Sequence, residues 1–228
     1  MMAADAHSAV DTVLTGLAVA LMLGLFLAPF VLYPAKVALS QRRRVKRLLD
    51  ARIEELRAGV ERMGTPYHMM QLGAALLEAG AHEEAQQWLE RAYERDPHSL
   101  DNRYQLGRCY FLRRAYRQAG QVLEEVIRQR PTFAYGDAFF LYARALEEGG
   151  EEPAAMDAYE RFLRYYPNHP EATWRFAMIL DRAGRRDRAA ELLRQMVAAV
   201  EAGPSFQRQR QRQWVRKARQ WLASQAVA

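Results

Sequence analysis

Few residues in this chain are of a type and spacing that could carry out covalent or redox chemistry. Glu124-Glu125, Glu147-Glu148 and Glu151-Glu152 are paired carboxylates, which acid–base catalysis would need to converge. Adjacent residues on a helix diverge by about a hundred degrees, so these pairs suit a solvated face instead. The five histidines, His7, His68, His82, His98 and His169, are scattered and form no His-x-x-x-His pair for a metal. The single cysteine, Cys109, can form neither an internal disulfide nor a zinc site built on paired cysteines, and is expected as a small buried thiol. Glycine-rich phosphate loops and a Gly-x-Ser-x-Gly nucleophile elbow are absent from the sequence. It therefore assigns no catalytic residue, no metal and no cofactor, and points to a protein that is not an enzyme.

What remains is charge and surface, and the charge is unevenly placed. The 228 residues carry a net +6. Residues 1–49 hold six basic and two acidic groups, residues 50–201 hold 21 and 25, and residues 202–228 hold six basic groups and no acid. Two basic ends flank a slightly acidic middle.

The first basic cluster follows an uncharged run of 24 residues, Thr12 to Ala35. As a helix the run would rise ~36 Å, enough to cross a ~30 Å hydrocarbon core. Met1 to Asp11 contains no Lys or Arg, unlike the positive leader of a signal peptide. Lys36, Arg42, Arg43, Arg44, Lys46 and Arg47 follow the run at once, and such charge is retained in the cytoplasm. The expectation is a single-pass inner-membrane protein with its N-terminus outside and its bulk in the cytoplasm. Gly16, Ala20, Gly24 and Ala28 recur every four residues and would line a close-packing face for a homodimer through the membrane helix, a spacing that chance also produces.

From Gln41 to Met63, Val45, Leu49, Ile53, Leu56, Val60 and Met63 are spaced by threes and fours, predicting an amphipathic connecting helix. Gly64-Thr65-Pro66 breaks it. Beyond the break the sequence repeats. Leu72-Gly73, Leu76, Ala85, Leu89, Ala92 and Pro97 recur, shifted by 34, as Leu106-Gly107, Tyr110, Ala119, Leu123, Val126 and Pro131. After a two-residue insertion at Ala134-Tyr135 comes Tyr142-Ala143, Leu146, Ala155, Tyr159, Phe162 and Pro167. A fourth copy gives Phe176-Ala177, Leu180, Ala189, Leu193 and Met196, with Glu201 where the closing proline would stand. The small residue at Gly73, Gly107, Ala143 and Ala177, and the alanine at Ala85, Ala119, Ala155 and Ala189, would let paired helices touch. Gly80, Gly150 and Gly184 fall where a tight turn is wanted, and Arg114 departs from that pattern.

This period and pattern resemble the tetratricopeptide repeat, a helix-turn-helix unit of 34 residues. The resemblance implies an all-α superhelix, and the organisation expected is a tail and membrane helix at 1–36, a basic juxtamembrane segment and connecting helix at 37–65, repeats at 66–99, 100–133, 136–169 and 170–203, and a basic capping helix at 204–228. On the cap, Phe206, Trp214, Ala218, Trp221 and Leu222 form the expected apolar face, over about Ser205 to Ser224. Its cations, Arg208, Arg210, Arg212, Arg216, Lys217 and Arg219, would solubilise the cap or, with the first basic cluster, touch anionic lipid; nucleic acid is disfavoured because no binding motif accompanies them.

In the family the first helices line a concave groove, and the fifth and ninth positions of each unit commonly face a protein ligand. The resemblance thus implies a groove formed by Met70 and Ala74, Tyr104 and Arg108, Phe140 and Arg144, and Trp174 and Met178, bordered by Phe111. The Lys and Asn of the family's carboxylate clamp are missing at these positions. Arg108 and Arg144 among aromatics would favour a peptide or helix with apolar anchors and an acidic residue; alternatively, the aromatics are buried between units and the arginines pair with Asp137 or Glu147. The layout resembles that of bacterial inner-membrane repeat proteins. It implies a scaffold for protein partners or, failing that, an accessory subunit or assembly factor of a membrane complex.

Overall fold

The computed structural model describes residues 43–225 together with Val37, Ser40 and Gln41. The apolar run, its small-residue line Gly16, Ala20, Gly24 and Ala28, and Arg42 lie outside the described residues. Among the described residues, no helix is long and apolar enough to cross a membrane. The chain divides into two compact units at Glu55/Leu56. In the first, residues 43–55 are helical, and Arg43, Arg44, Val45, Lys46, Arg47 and Leu48 are exposed.

The second unit opens with helical residues 56–63 (α1). Val60 is buried, whereas Met63, expected on the same apolar stripe, is exposed. Four helix pairs follow: α2 (Pro66–Glu78) with α3 (His82–Arg95), α4 (Leu100–Leu112) with α5 (Tyr116–Gln129), α6 (Asp137–Glu148) with α7 (Glu152–Tyr165), and α8 (Pro170–Arg182) with α9 (Arg186–Ala202). The last helix is α10 (Ser205–Gln225). From α2 to α10 each helix packs on the next, and α2 also meets α4, and α4 meets α6, so the first helices of the pairs line one face of an α-α solenoid.

The small residues do what their spacing requires. A Cβ built on Gly73 would lie 2.5 Å from Leu89 Cγ, and one built on Gly107 would lie 2.6 Å from Leu123 Cγ. Ala85, Ala119, Ala155 and Ala189 are completely buried at the matching place on the second helices. Leu72, Leu106, Leu123, Leu180 and Leu193 fill the interior alongside Tyr159 and Phe162.

Each pair is joined by the same turn. Gly80 N–H donates to the Leu77 carbonyl and Ala81 N–H to the Leu76 carbonyl, and the pattern recurs at Arg114/Ala115, Gly150/Glu151 and Gly184/Arg185. This C-terminal motif needs a left-handed residue. Gly80, Gly150 and Gly184 have φ of 79°, 80° and 74°, and Arg114 adopts 62° despite its side chain.

The connections between pairs are capped by side chains. Thr65 Oγ1, Ser99 Oγ and His169 Nδ1 accept from the backbone N–H of His68, Asn102 and Ala172 at the starts of α2, α4 and α8. Buried Asn102 also ties the loop before it by donating to the carbonyls of Ala92 and Asp96, both at 3.1 Å. The insertion changes this at α6. Phe133–Gly136 form a short 3-10 segment in which Ala134, Tyr135 and Gly136 all take positive φ, and no side chain caps the helix.

Helix α10 closes the solenoid at one end only. Ala218 is 0% exposed, and the Trp221 indole donates to Asp181 at 3.0 Å. Phe206, expected on the buried face, is instead 61% exposed and lines an open wedge between the N-terminal half of α10, the end of α9 and the start of α8.

Candidate functional site

The first-helix face is built around an arginine held between rings. Arg144, on α6, places its guanidinium 4.8 Å from the centroid of Phe111 and 5.7 Å from that of Phe140. Phe111 ends α4, so the preceding pair supplies one wall of the sandwich. Arg144 Nε is buried and has no hydrogen-bond partner. A guanidinium carries five N–H donors in a plane, and stacking leaves its edge rather than its face to meet an acceptor.

Next to it, Arg108 donates to Gln105 Oε1 at 2.8 Å and lies 5.7 Å over the Tyr104 ring. Tyr104 donates its hydroxyl to the Asp137 carboxylate and stacks edge-on against Phe133. Burial, then this hydrogen bond and the negative charge of Asp137, push the phenol above its usual range. Asp137 and Glu147 therefore serve other partners, and neither pairs with Arg108 or Arg144 in the hydrogen bonds and ion pairs formed.

The expected groove residues fall into two groups. Met70 and Phe140 are buried, and Phe140 packs on Phe162 and His169 at 5.5 and 4.6 Å between centroids. Tyr104, Arg108, Phe111, Arg144, Trp174, Met178 and Ala74 are partly exposed. The structure brings Tyr104 with Arg108, and Phe111 with Phe140 and Arg144, into two adjoining clusters. Trp174 belongs to a third at the α10 end, where the Lys217 ammonium lies 6.0 Å from its ring and 4.3 Å from that of Trp214.

Sequence reasoning missed the ion network beside the sandwich. Glu147, expected on a solvated face, has a side chain only 14% exposed. It accepts from the Tyr159 hydroxyl at 2.6 Å and from Arg175 Nη1 at 3.0 Å. Arg175 also meets Glu148 at 3.4 Å and Glu171 at 3.2 Å. Burial drives the Tyr159 hydroxyl far above its ordinary range, and the Glu147 charge adds to it. Arg175 and Glu147 stand 28 residues apart on different helix pairs, a separation that no short-range pattern flags. The network fixes α6, α7 and α8 behind the face that Arg144 presents.

Cys109 is fully buried with its thiol 3.7 Å from the His82 carbonyl, and burial pushes its pKa up to about 11. Among the described residues, no cluster of His, Cys, Asp or Glu could hold a metal ion.

The basic face of α10 is not uniform. Arg219 is paired with Glu201, Arg208 donates to the Glu201 carbonyl at 3.5 Å, and Lys217 rests on the tryptophans. Arg210, Arg212 and Arg216 are exposed and line an open surface with Gln209 and Gln213.

Two family profiles described as tetratricopeptide repeat match the chain, over residues 76–138 and 137–169. No curated protein matches it by sequence. Among solved structures, a crystal structure of MamA has a TM-score of 0.64 at 21% identity, covering 70% of this chain and 93% of that one. MamA from Desulfovibrio magneticus RS-1 gives 0.65 at 19% identity, covering 73% and 94%. At such identities the likeness shows the fold.

Proposed function

We infer from its membership of the tetratricopeptide-repeat family that this chain is a non-catalytic scaffold, binding protein partners on the face formed by its first helices. The observation that carries the reading is the Arg144 guanidinium, stacked between Phe111 and Phe140 with an unsatisfied Nε. A stacked, pre-positioned cation among aromatics is the composition of a binding hot spot. The partner is a peptide or helix that sets apolar side chains against Tyr104, Phe111, Trp174 and Met178 and a carboxylate against Arg144 or Arg108.

The uncharged run from Thr12 to Ala35 is the anchor in this reading, placing the scaffold on the cytoplasmic face of the inner membrane. The exposed Arg43, Arg44, Lys46 and Arg47 then lie where they would meet anionic headgroups, each contributing ~1 kcal/mol.

The test is purification of the full-length chain from native membranes in mild detergent, beside residues 41–228 and an Arg108→Glu, Arg144→Glu variant, with co-purifying proteins identified by mass spectrometry. A scaffold keeps its partners in the 41–228 form and loses them in the double variant. Partners found only with the full-length chain would make it an integral subunit that uses the membrane helix. Partners unchanged by the double variant would remove the first-helix face from the account.

A further inference from the structure

The cations of α10 are divided by the face of the helix on which they stand. Arg208, Arg212, Arg216 and Arg219 follow one another at spacings of four, four and three, which places them in a row on one side. Gln209, Gln213 and Gln220 flank that row, and every one of these side chains is exposed. Trp214, Ala218 and Trp221 lie on the opposite side, half-buried or buried, with Trp221 donating to Asp181 of α8.

Within the outward row the two ends are tied and the middle is free. Arg219 pairs with Glu201, and Arg208 donates to the Glu201 carbonyl at 3.5 Å. Arg212 and Arg216 form no hydrogen bond or ion pair within the described residues, and with Arg210, Gln209 and Gln213 they line a shallow, open surface. Beyond Glu201 the sequence contains no Asp or Glu that could neutralise them.

This surface has the composition for a polyanion and lacks what other partners use. A protein interface desolvates an apolar or aromatic centre inside a polar rim, and the row offers Arg and Gln alone. Single-stranded nucleic acid stacks its bases on aromatic rings. The tryptophans of α10 are already engaged, Trp214 beneath the Lys217 ammonium at 4.3 Å and Trp221 on Asp181. A layer of phosphate headgroups needs neither a pocket nor a ring, and guanidinium forks and glutamine amides are donors for it.

We propose that the outward face of α10 binds anionic phospholipid headgroups, with Arg212 and Arg216 as its principal contacts and Arg210 at its border. The proposal rests on the membrane-anchored reading above. An anchor holds the face at a high effective concentration of lipid, so a few cations suffice where a soluble protein would need many. A solenoid held at its C-terminal end keeps its first-helix face for protein partners.

The experiment places the environment-sensitive dye NBD on Gln213→Cys of the full-length chain; Cys109, the only native thiol, is fully buried. The labelled protein is reconstituted in phosphatidylcholine nanodiscs with increasing phosphatidylglycerol. NBD emission should rise with phosphatidylglycerol and fall again as salt is raised. Arg212→Gln and Arg216→Gln should each weaken the contact about fivefold, and together about twenty-fivefold. Arg144→Glu should leave it unchanged, and a thermal melt of each variant reports retained folding. The proposal is overturned if phosphatidylglycerol makes no difference, or if the double Arg212→Gln, Arg216→Gln variant keeps the full response. It is also overturned if polydeoxythymidine displaces the face from phosphatidylglycerol at equal phosphate concentration, which would make nucleic acid the preferred ligand. Resistance of the full-length chain to alkaline carbonate extraction from native membranes tests the anchor separately. If carbonate releases the chain, the anchor fails, and flotation of the same variants on phosphatidylglycerol vesicles decides the lipid contact by the same criteria.

Discussion

The Arg144 guanidinium of the third helix pair lies 4.8 Å over the Phe111 ring of the second, so the orientation of this cation is set across a boundary between repeats. Replacing Phe111 with Leu keeps an apolar side chain there and removes the π face, which is worth roughly 0.5–2 kcal/mol. The expected outcome is a partner affinity lowered by about twofold to thirtyfold with little change in Tm. Isothermal titration with whichever protein co-purifies measures it. An Arg144→Lys variant should lose at least as much, since an ammonium cannot stack as a plane.

Arg114 occupies the turn position that glycine fills in the other three pairs, at φ 62°. A left-handed non-glycine residue costs roughly 1–2 kcal/mol, partly offset by the greater freedom glycine has in the unfolded chain. Arg114→Gly should therefore raise stability by up to about 1 kcal/mol, read as an increase in Tm. A decrease would mean that the Arg114 side chain makes a compensating contact.

Two glycines on facing helices should respond in opposite senses to alanine. A Cβ on Gly107 would stand 2.6 Å from Leu123 Cγ, so Gly107→Ala should destabilise by about 1–3 kcal/mol. A Cβ on Gly120 would meet Leu146 Cδ2 at an ordinary 3.9 Å. Within α5 the change Gly120→Ala should stabilise by roughly 0.5–1 kcal/mol. Urea titration of both variants separates close helix approach from helix propensity.

His169 caps α8 through Nδ1 and packs on Phe140 and Phe162. Burial lowers its pKa, against the opposing pull of Glu171 and Asp137. The unfolded chain then binds a proton that the folded one resists. Stability from this group is fully present above about pH 6.5 and falls as pH drops through that value toward the folded pKa. His169→Asn keeps a capping acceptor without a titrating ring. It should flatten the loss of Tm between neutral pH and about pH 5 relative to the parent chain.

The repeat was legible because its determinants are local and periodic. Gly73, Gly107, Ala85 and Ala119 mark contact points that recur at a fixed shift, and the structure places them there. The turn at Arg114 was legible as a departure, but its backbone was not, since the surrounding hydrogen bonds impose the left-handed conformation. At the site, Arg108 and Arg144 could be named from their register, whereas the burial of Met70 and Phe140 depends on how neighbouring pairs meet. The Glu147–Arg175 pair was hidden for the same reason: it joins different pairs, and nothing near either residue announces the other. Phe206 was misplaced because a helical stripe records periodicity along one helix and not where the neighbouring helix diverges.

The intra-pair turns have a practical consequence for anyone wishing to watch this protein at work. A Cβ on Gly80, Gly150 or Gly184 would meet nothing within 4 Å, and each turn lies a helix length, about 20 Å, from the loops that border the α10 wedge. An epitope or fluorophore spliced in beside Gly150 would extend into solvent away from that wedge, on the turn that follows the Arg144 helix, giving a reporter placed close to the first-helix face.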